Sequence, residues 1–247
     1  MKKLLCASLF VIVVAGASFA FDLNNPPVVK ISGGQLMGFM NGKTFTFLGI
    51  PYAQAKRFEP PQKVQAWDGV KSAQSYGPIC PIQNQTEVGA DEFVWPHRYW
   101  VQNENCMNLN VWTQSINEGD KKPVIVFFHG GGYRNGSSIE SAAYDGKNLS
   151  EYGDVVVVTV NHRLNILGFL DLSRFGEKYK DTANIGMQDL VASLKWIQEN
   201  IKYFGGDPAN VTIFGQSGGG GKVNNLMRMP SAKEHSTRRR HSAAHTD

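Results

Sequence analysis

The chain has 247 residues, 42% of them apolar and 19% charged, which is enough to bury a sizeable core. Its formal net charge is +4, of which Lys2 and Lys3 supply two and the segment from Glu234 a net one. The body of the chain is therefore close to neutral, carries no interleaved basic and aromatic patch, and is not expected to bind nucleic acid. No Cys/His cluster has metal-ligand spacing and no Gly-x-Gly-x-x-Gly opens a helix, so no metal and no other cofactor is expected.

Lys2 and Lys3, the apolar run Leu4 to Gly16 and the small-residue site Ser18-Phe19-Ala20 have the three-part form of a secretory signal peptide. Cleavage near Ala20 and a secreted or periplasmic destination follow as expectations. The run is too short to span a bilayer, and no other stretch is long enough, so no membrane span is expected. Residues 21–233 read as one domain, and 234–247 as a separate tail.

Val28 to Ile31, Gln35 to Met40 and Thr44 to Gly49 alternate as strands do, with Asn41-Gly42 marking a hairpin turn. Met107 to Trp112, Val124 to Phe128, Val155 to Val160 and Val211 to Phe214 are more continuous apolar runs that alternate with helical stretches. That pattern predicts an α/β architecture whose sheet starts with an antiparallel hairpin and becomes mostly parallel and covered on both faces. Met187, Leu190, Val191, Leu194, Ile197 and Ile201 recur at helical spacing and predict a core-facing helix before the last of these strands. Lys222 to Met229 reads as the start of the helix that follows it.

Two of the strands end in glycine-rich motifs. Val211 to Phe214 runs into Gly215-Gln216-Ser217-Gly218-Gly219, a Gly-x-Ser-x-Gly elbow in which glycines two residues either side of the serine let a strand turn sharply into a helix with its hydroxyl exposed. Pro123 to Phe128 runs into His129-Gly130-Gly131-Gly132-Tyr133, where consecutive glycines let backbone N–H groups approach a developing oxyanion. Together, in this order, they point to acyl transfer at an ester, with Ser217 as nucleophile.

The chain resembles the type-B carboxylesterase family, the cholinesterase-like α/β-hydrolases, and especially its bacterial para-nitrobenzyl esterase branch. Phe204 to Gly219 carries the serine signature, and Glu104-Asn105-Cys106-Met107-Asn108-Leu109-Asn110-Val111 a second signature with departures at Asn105, Met107 and Asn108. Gly49-Ile50-Pro51-Tyr52-Ala53, Arg57-Phe58, Trp67-Asp68-Gly69, Cys80-Pro81 and Asn161-His162-Arg163-Leu164 match as well. The resemblance implies an α/β-hydrolase fold and an oxyanion hole from Gly131, Gly132 and Gly218. It also implies a small-molecule carboxylic ester as substrate, and a glutamate acid and histidine base that follow the serine far downstream.

Of the three cysteines, Cys6 leaves with the signal, so Cys80 and Cys106 remain as the pair available in an oxidising compartment. The resemblance implies a bond between them; two buried free thiols are the other reading. His235, His241 and His245 crowd into the tail and are badly placed to serve as the base, while His97, His129 and His162 read as loop or packing residues. The tail from Glu234 has no apolar residue larger than alanine and reads as disordered, with a change of reading frame after Lys233 as its expected origin. An inert fragment or a non-enzymatic cholinesterase-like binding module is the competing function. The resemblance implies that strands after the elbow flank the one ending at Phe214; their loss would leave it an open edge, so the chain is expected to aggregate or be degraded.

Overall fold

In the computed structural model, residues 25–82, 90–94, 96–233 and 238–239 are described. The expected signal peptide and most of the tail lie outside these residues. The first strands are β1 (Val28–Ile31), β2 (Gly34–Met37), β3 (Phe39–Asn41), β4 (Thr44–Pro51) and β5 (Val70–Ser72). β1 pairs antiparallel with β2, which pairs parallel with β5, in a small three-stranded sheet.

The single strand expected from Gln35 to Met40 is divided. Gly38 breaks it, so that β2 joins the small sheet while β3 opens the large one. A Cβ at Gly38 would lie 2.5 Å from the Thr46 carbonyl oxygen, so only glycine lets the chain pass between the sheets here. β3 then returns through Gly42-Lys43 to pair with β4, Asn41 opposite Thr44, with Gly42 at φ 65°.

The large sheet takes β6 (Asn108–Thr113), β7 (Lys122–Phe128), β8 (Val156–Val160), β9 (Gly206–Gly215) and the short β10 (Arg238–Arg239). Its order is β10-β9-β7-β8-β6-β4-β3. The β3–β4, β4–β6 and β6–β8 pairs are antiparallel, and the β8–β7, β7–β9 and β9–β10 pairs are parallel. The sheet is mixed, as the antiparallel start and later apolar runs predict, but it is less parallel than expected, because β6 pairs antiparallel with both of its neighbours.

Among the described residues four α-helices accompany the sheet: α1 (Lys147–Gly153), α2 (Asn165–Phe169), α3 (Ile185–Asn200) and α4 (Gly218–Arg228). The expected stripe on α3 is buried, from Met187 through Leu190, Val191, Leu194 and Ile197 to Ile201 just past its end. It joins one core with Val156, Val158 and Val160 of β8 and Val124, Val126 and Phe128 of β7. All five residues of β8 are buried, as a strand covered on both faces requires. α4 starts at Gly218, four residues before the sequence expectation, because helix geometry begins directly after the elbow in spite of the glycine run.

Arg163, just after β8, is anchored to α3. Its Nε and Nη2 donate to Asp189 Oδ2 and Oδ1 at 2.8 and 2.6 Å, and both residues are buried. Its Nη1 also donates to the Glu59 carbonyl at 2.8 Å. Burial drives the Asp189 pKa up, and the charge and hydrogen bonds of Arg163 oppose that rise. Among the described residues no helix is long and apolar enough to cross a membrane.

Candidate active site

β7 and β9 lie side by side in parallel, with Phe128 opposite Gly215, so their ends are level. The His129 loop and the Ser217 elbow therefore leave the sheet together, at the carboxyl ends of neighbouring strands. In open α/β sheets that edge is where ligands bind.

The elbow is held by steric necessity. Ser217 has φ 52° and ψ −121°, a conformation that L-residues with a Cβ rarely adopt. A Cβ at Gly215 would lie 2.4 Å from the Gly219 carbonyl carbon, and one at Gly219 only 2.0 Å from the Phe128 carbonyl oxygen. The two outer glycines of Gly-x-Ser-x-Gly are thus what allows α4 to start tight against β7. Ser217 N-caps α4 in sequence, so the helix's positive end faces the serine.

The oxyanion loop meets the elbow at Gly218. A Cβ there would come within 2.6 Å of the Gly132 nitrogen, so the expected donors Gly132 and Gly218 have their backbones in contact. The Gly218 N–H is one of the donors that a helix start leaves without an intrahelical partner. Gly131, Gly132 and Tyr133 take φ 81°, 57° and 66° in succession. The turn is closed by Arg134 and Asn135, whose N–H groups donate to the Gly131 carbonyl at 3.0 Å each. The Asn165 N–H donates to the Tyr133 carbonyl at 2.8 Å and fixes the far end. The glycine turn and the elbow thus meet at Gly132 and Gly218, with Gly131 and Ser217 adjoining them in the chain.

The described histidines are all engaged elsewhere. His97 Nδ1 pairs with Glu92 at 2.7 Å. His129 and His162 stack with centroids 5.3 Å apart, and each Nδ1 contacts a backbone carbonyl, Gly130 at 3.0 Å and Arg163 at 2.8 Å. A carbonyl can only accept, so each Nδ1 carries the proton and each buried Nε2 is left without a partner. Burial, with the nearby positive charge of Lys222, holds both pKa values well below the usual histidine range. They are neutral packing histidines, as the sequence suggests.

Lys222 escaped the sequence reading. It is buried on α4, with Nζ donating to the His129 carbonyl at 2.8 Å and reaching the Gly130 carbonyl at 3.4 Å. Burial pushes its pKa down to about 7, partly offset by Glu140. A lysine five positions after the elbow serine was the available signal, but its burial depends on a distant loop folding over it.

Cys80 and Cys106 do come together, buried in one small cluster with Leu164. They are not bonded: the structure holds them as two free thiols packed in the same cluster. Leu164 N–H also donates to Cys80 Sγ at 3.2 Å, which holds the thiol against the segment that follows β8. A cavity of about 240 Å³ borders the oxyanion turn, lined by Gly131, Ser137, Glu140, His97 and Ile79 among others. A larger one of about 610 Å³ runs along α3, and neither cavity is lined by Ser217, Gly132 or Gly218. Among the described residues no cluster of three or more His, Cys, Asp or Glu is placed to bind a metal.

The Carboxylesterase family profile matches residues 25–240. Para-nitrobenzyl esterase of Bacillus subtilis is 40% identical over 210 residues, covering 83% of this chain and 41% of its own. Mouse carboxylesterase 1F is 35% identical over 241 residues, covering 92% and 42%. A Clostridium hathewayi esterase described as able to hydrolyse aliphatic aromatic polyesters superposes with a TM-score of 0.85 at 54% identity, covering 90% of this chain and 44% of that one. A Geobacillus stearothermophilus carboxylesterase gives a TM-score of 0.77 at 41% identity, covering 87% and 42%. The chain spans about two fifths of the length of the relatives it matches. With its elbow, its oxyanion loop and these matches in agreement, the chain belongs to the carboxylesterase family and has its α/β-hydrolase fold.

Proposed function

We propose that this chain carries the nucleophile and oxyanion hole of a carboxylic ester hydrolase. The observation that bears most weight is the joint placement of Ser217 in its left-handed elbow with Gly218 against Gly132. Ser217 Oγ attacks the acyl carbon, its proton passes to a base, and the oxyanion is held by the N–H groups of Gly131, Gly132 and Gly218. The alcohol leaves with that proton, and water then cleaves the acyl-enzyme to release the acid. The base and its acid are the histidine and glutamate that the family resemblance puts after the serine. Small carboxylic esters are the substrate class. The polyester activity of the Clostridium relative makes an aromatic polyester oligomer worth including among them.

The test is a burst of p-nitrophenolate from an activated ester, stoichiometric with protein and lost in Ser217→Ala. Equal release from the Ser217→Ala protein would overturn the reading. We further propose export through residues 1–20, with cleavage after Ala20 and oxidation of Cys80 and Cys106 to a disulfide in the oxidising compartment. The closeness of the two thiols supports this bond. Intact-mass measurement of exported protein checks both, since cleavage removes 20 residues and the bond lowers the mass by about 2 Da relative to two thiols.

A further inference from the structure

Lys222 is a fully buried cation whose hydrogen bonds go to neutral carbonyls. Burying an ammonium is costly, and partners that are merely dipolar repay it poorly. The partners are specific, however. They are the carbonyls of His129 and Gly130, the two peptide units leading into the oxyanion turn. The Gly130 carbonyl shares its peptide with the N–H of Gly131, and the His129 carbonyl shares its own with the N–H of Gly130. A cation on the carbonyl side of a peptide polarises the unit and makes its N–H a stronger donor.

We propose that Lys222 is a positioning residue for the oxyanion hole: it ties the glycine turn to the nucleophile's helix and, as an ammonium on the Gly130 carbonyl, strengthens the Gly131 N–H. The proposal rests on the acyl-transfer reading above. Lys222 is not itself placed as the base for Ser217, because its hydrogen bonds run to the loop carbonyls. The groups that face it are His129 at the end of β7, His162 after β8, Glu140 beyond the turn, and the Tyr133 ring, whose centroid lies 5.6 Å from Nζ. Both histidines are neutral, and the charge of Glu140 offsets only part of the effect of burial on Lys222. With its own pKa lowered to about 7, the brace gains or loses its charge near neutrality.

Two measurements on the full chain test this. In isotope-labelled protein, the Gly131 amide proton is expected to move downfield as pH falls through about 7. The same step should persist in Ser217→Ala and be absent in Lys222→Met. A Gly131 amide that does not titrate there, or that titrates equally in Lys222→Met, would overturn the role. In ester turnover, Lys222→Met is expected to slow acylation about tenfold or more with KM little changed, while Lys222→Arg keeps more of the rate. Unchanged acylation in Lys222→Met also overturns the proposal. If wild type and Ser217→Ala release product equally, the esterase reading is what fails, and the amide titration still decides the role of Lys222.

Discussion

Ser217 is a strained residue in a fold that gains nothing from the strain except display of its hydroxyl. A non-glycine residue in such a conformation costs about 1–3 kcal/mol, and among the described residues its side chain has no hydrogen bond to offset this. Ser217→Gly is therefore expected to raise the unfolding free energy by about 1 kcal/mol while abolishing acylation, measured by denaturant melts beside the burst assay. Gly219→Ala should do the reverse, because its Cβ would lie 2.0 Å from the Phe128 oxygen and neither backbone can yield cheaply. A loss of about 3 kcal/mol or more, read as a lower denaturation midpoint or as insoluble protein, is the expected outcome. Both glycines and the serine were legible in the sequence because their constraint is local: only certain residues fit a strand that turns at once into a helix. Lys222 was not legible, since its burial comes from a loop ninety-odd positions earlier in the chain.

At the scale of elements, Lys222 makes α4 sensitive to pH. Its folded pKa is about 7, below the 10.5 of an ordinary lysine, so between these values the unfolded chain binds a proton that the native chain does not. This group's contribution to stability therefore rises with pH across that window, by at most about 1.4 kcal/mol per unit, and is flat below it. Lys222→Met should remove that slope, which melts at a series of pH values from 6 to 10 would show. α3 depends on a different buried charge. Asp189→Ala would leave Arg163 buried without its carboxylate and is expected to cost about 3–5 kcal/mol in an equilibrium melt. The helical stripe of α3 was readable from spacing alone, whereas the break of the early strand at Gly38 was not. A lone glycine in an alternating run looks the same whether the strand continues or changes sheets.

For the whole molecule, the sequence pattern conveyed a mixed sheet but not its order. β8 is inserted between β6 and β7, and such pairing reflects which faces fit across long stretches of chain, not any local signal. β9 is ten residues long, and β10 pairs with it in parallel at Thr212 and Ile213.

The pairing of β7 with β9 also acts as a ruler. From Val124 opposite Val211 to Phe128 opposite Gly215 the two strands run without interruption, and the irregularity falls at the other end, between Lys122 and Val124. There five steps of β9, from Gly206 to Val211, answer two steps of β7. Extra or missing residues around Asp207-Pro208-Ala209-Asn210 can be absorbed in that slack. One residue inserted between Val211 and Gly215 cannot, because it would slide the serine about 3.3 Å along the sheet relative to the glycine turn and point its side chain to the other face. The distance between Ser217 and the glycine turn is thus kept constant by sheet register, and length variation is confined to the far end of the strand pair.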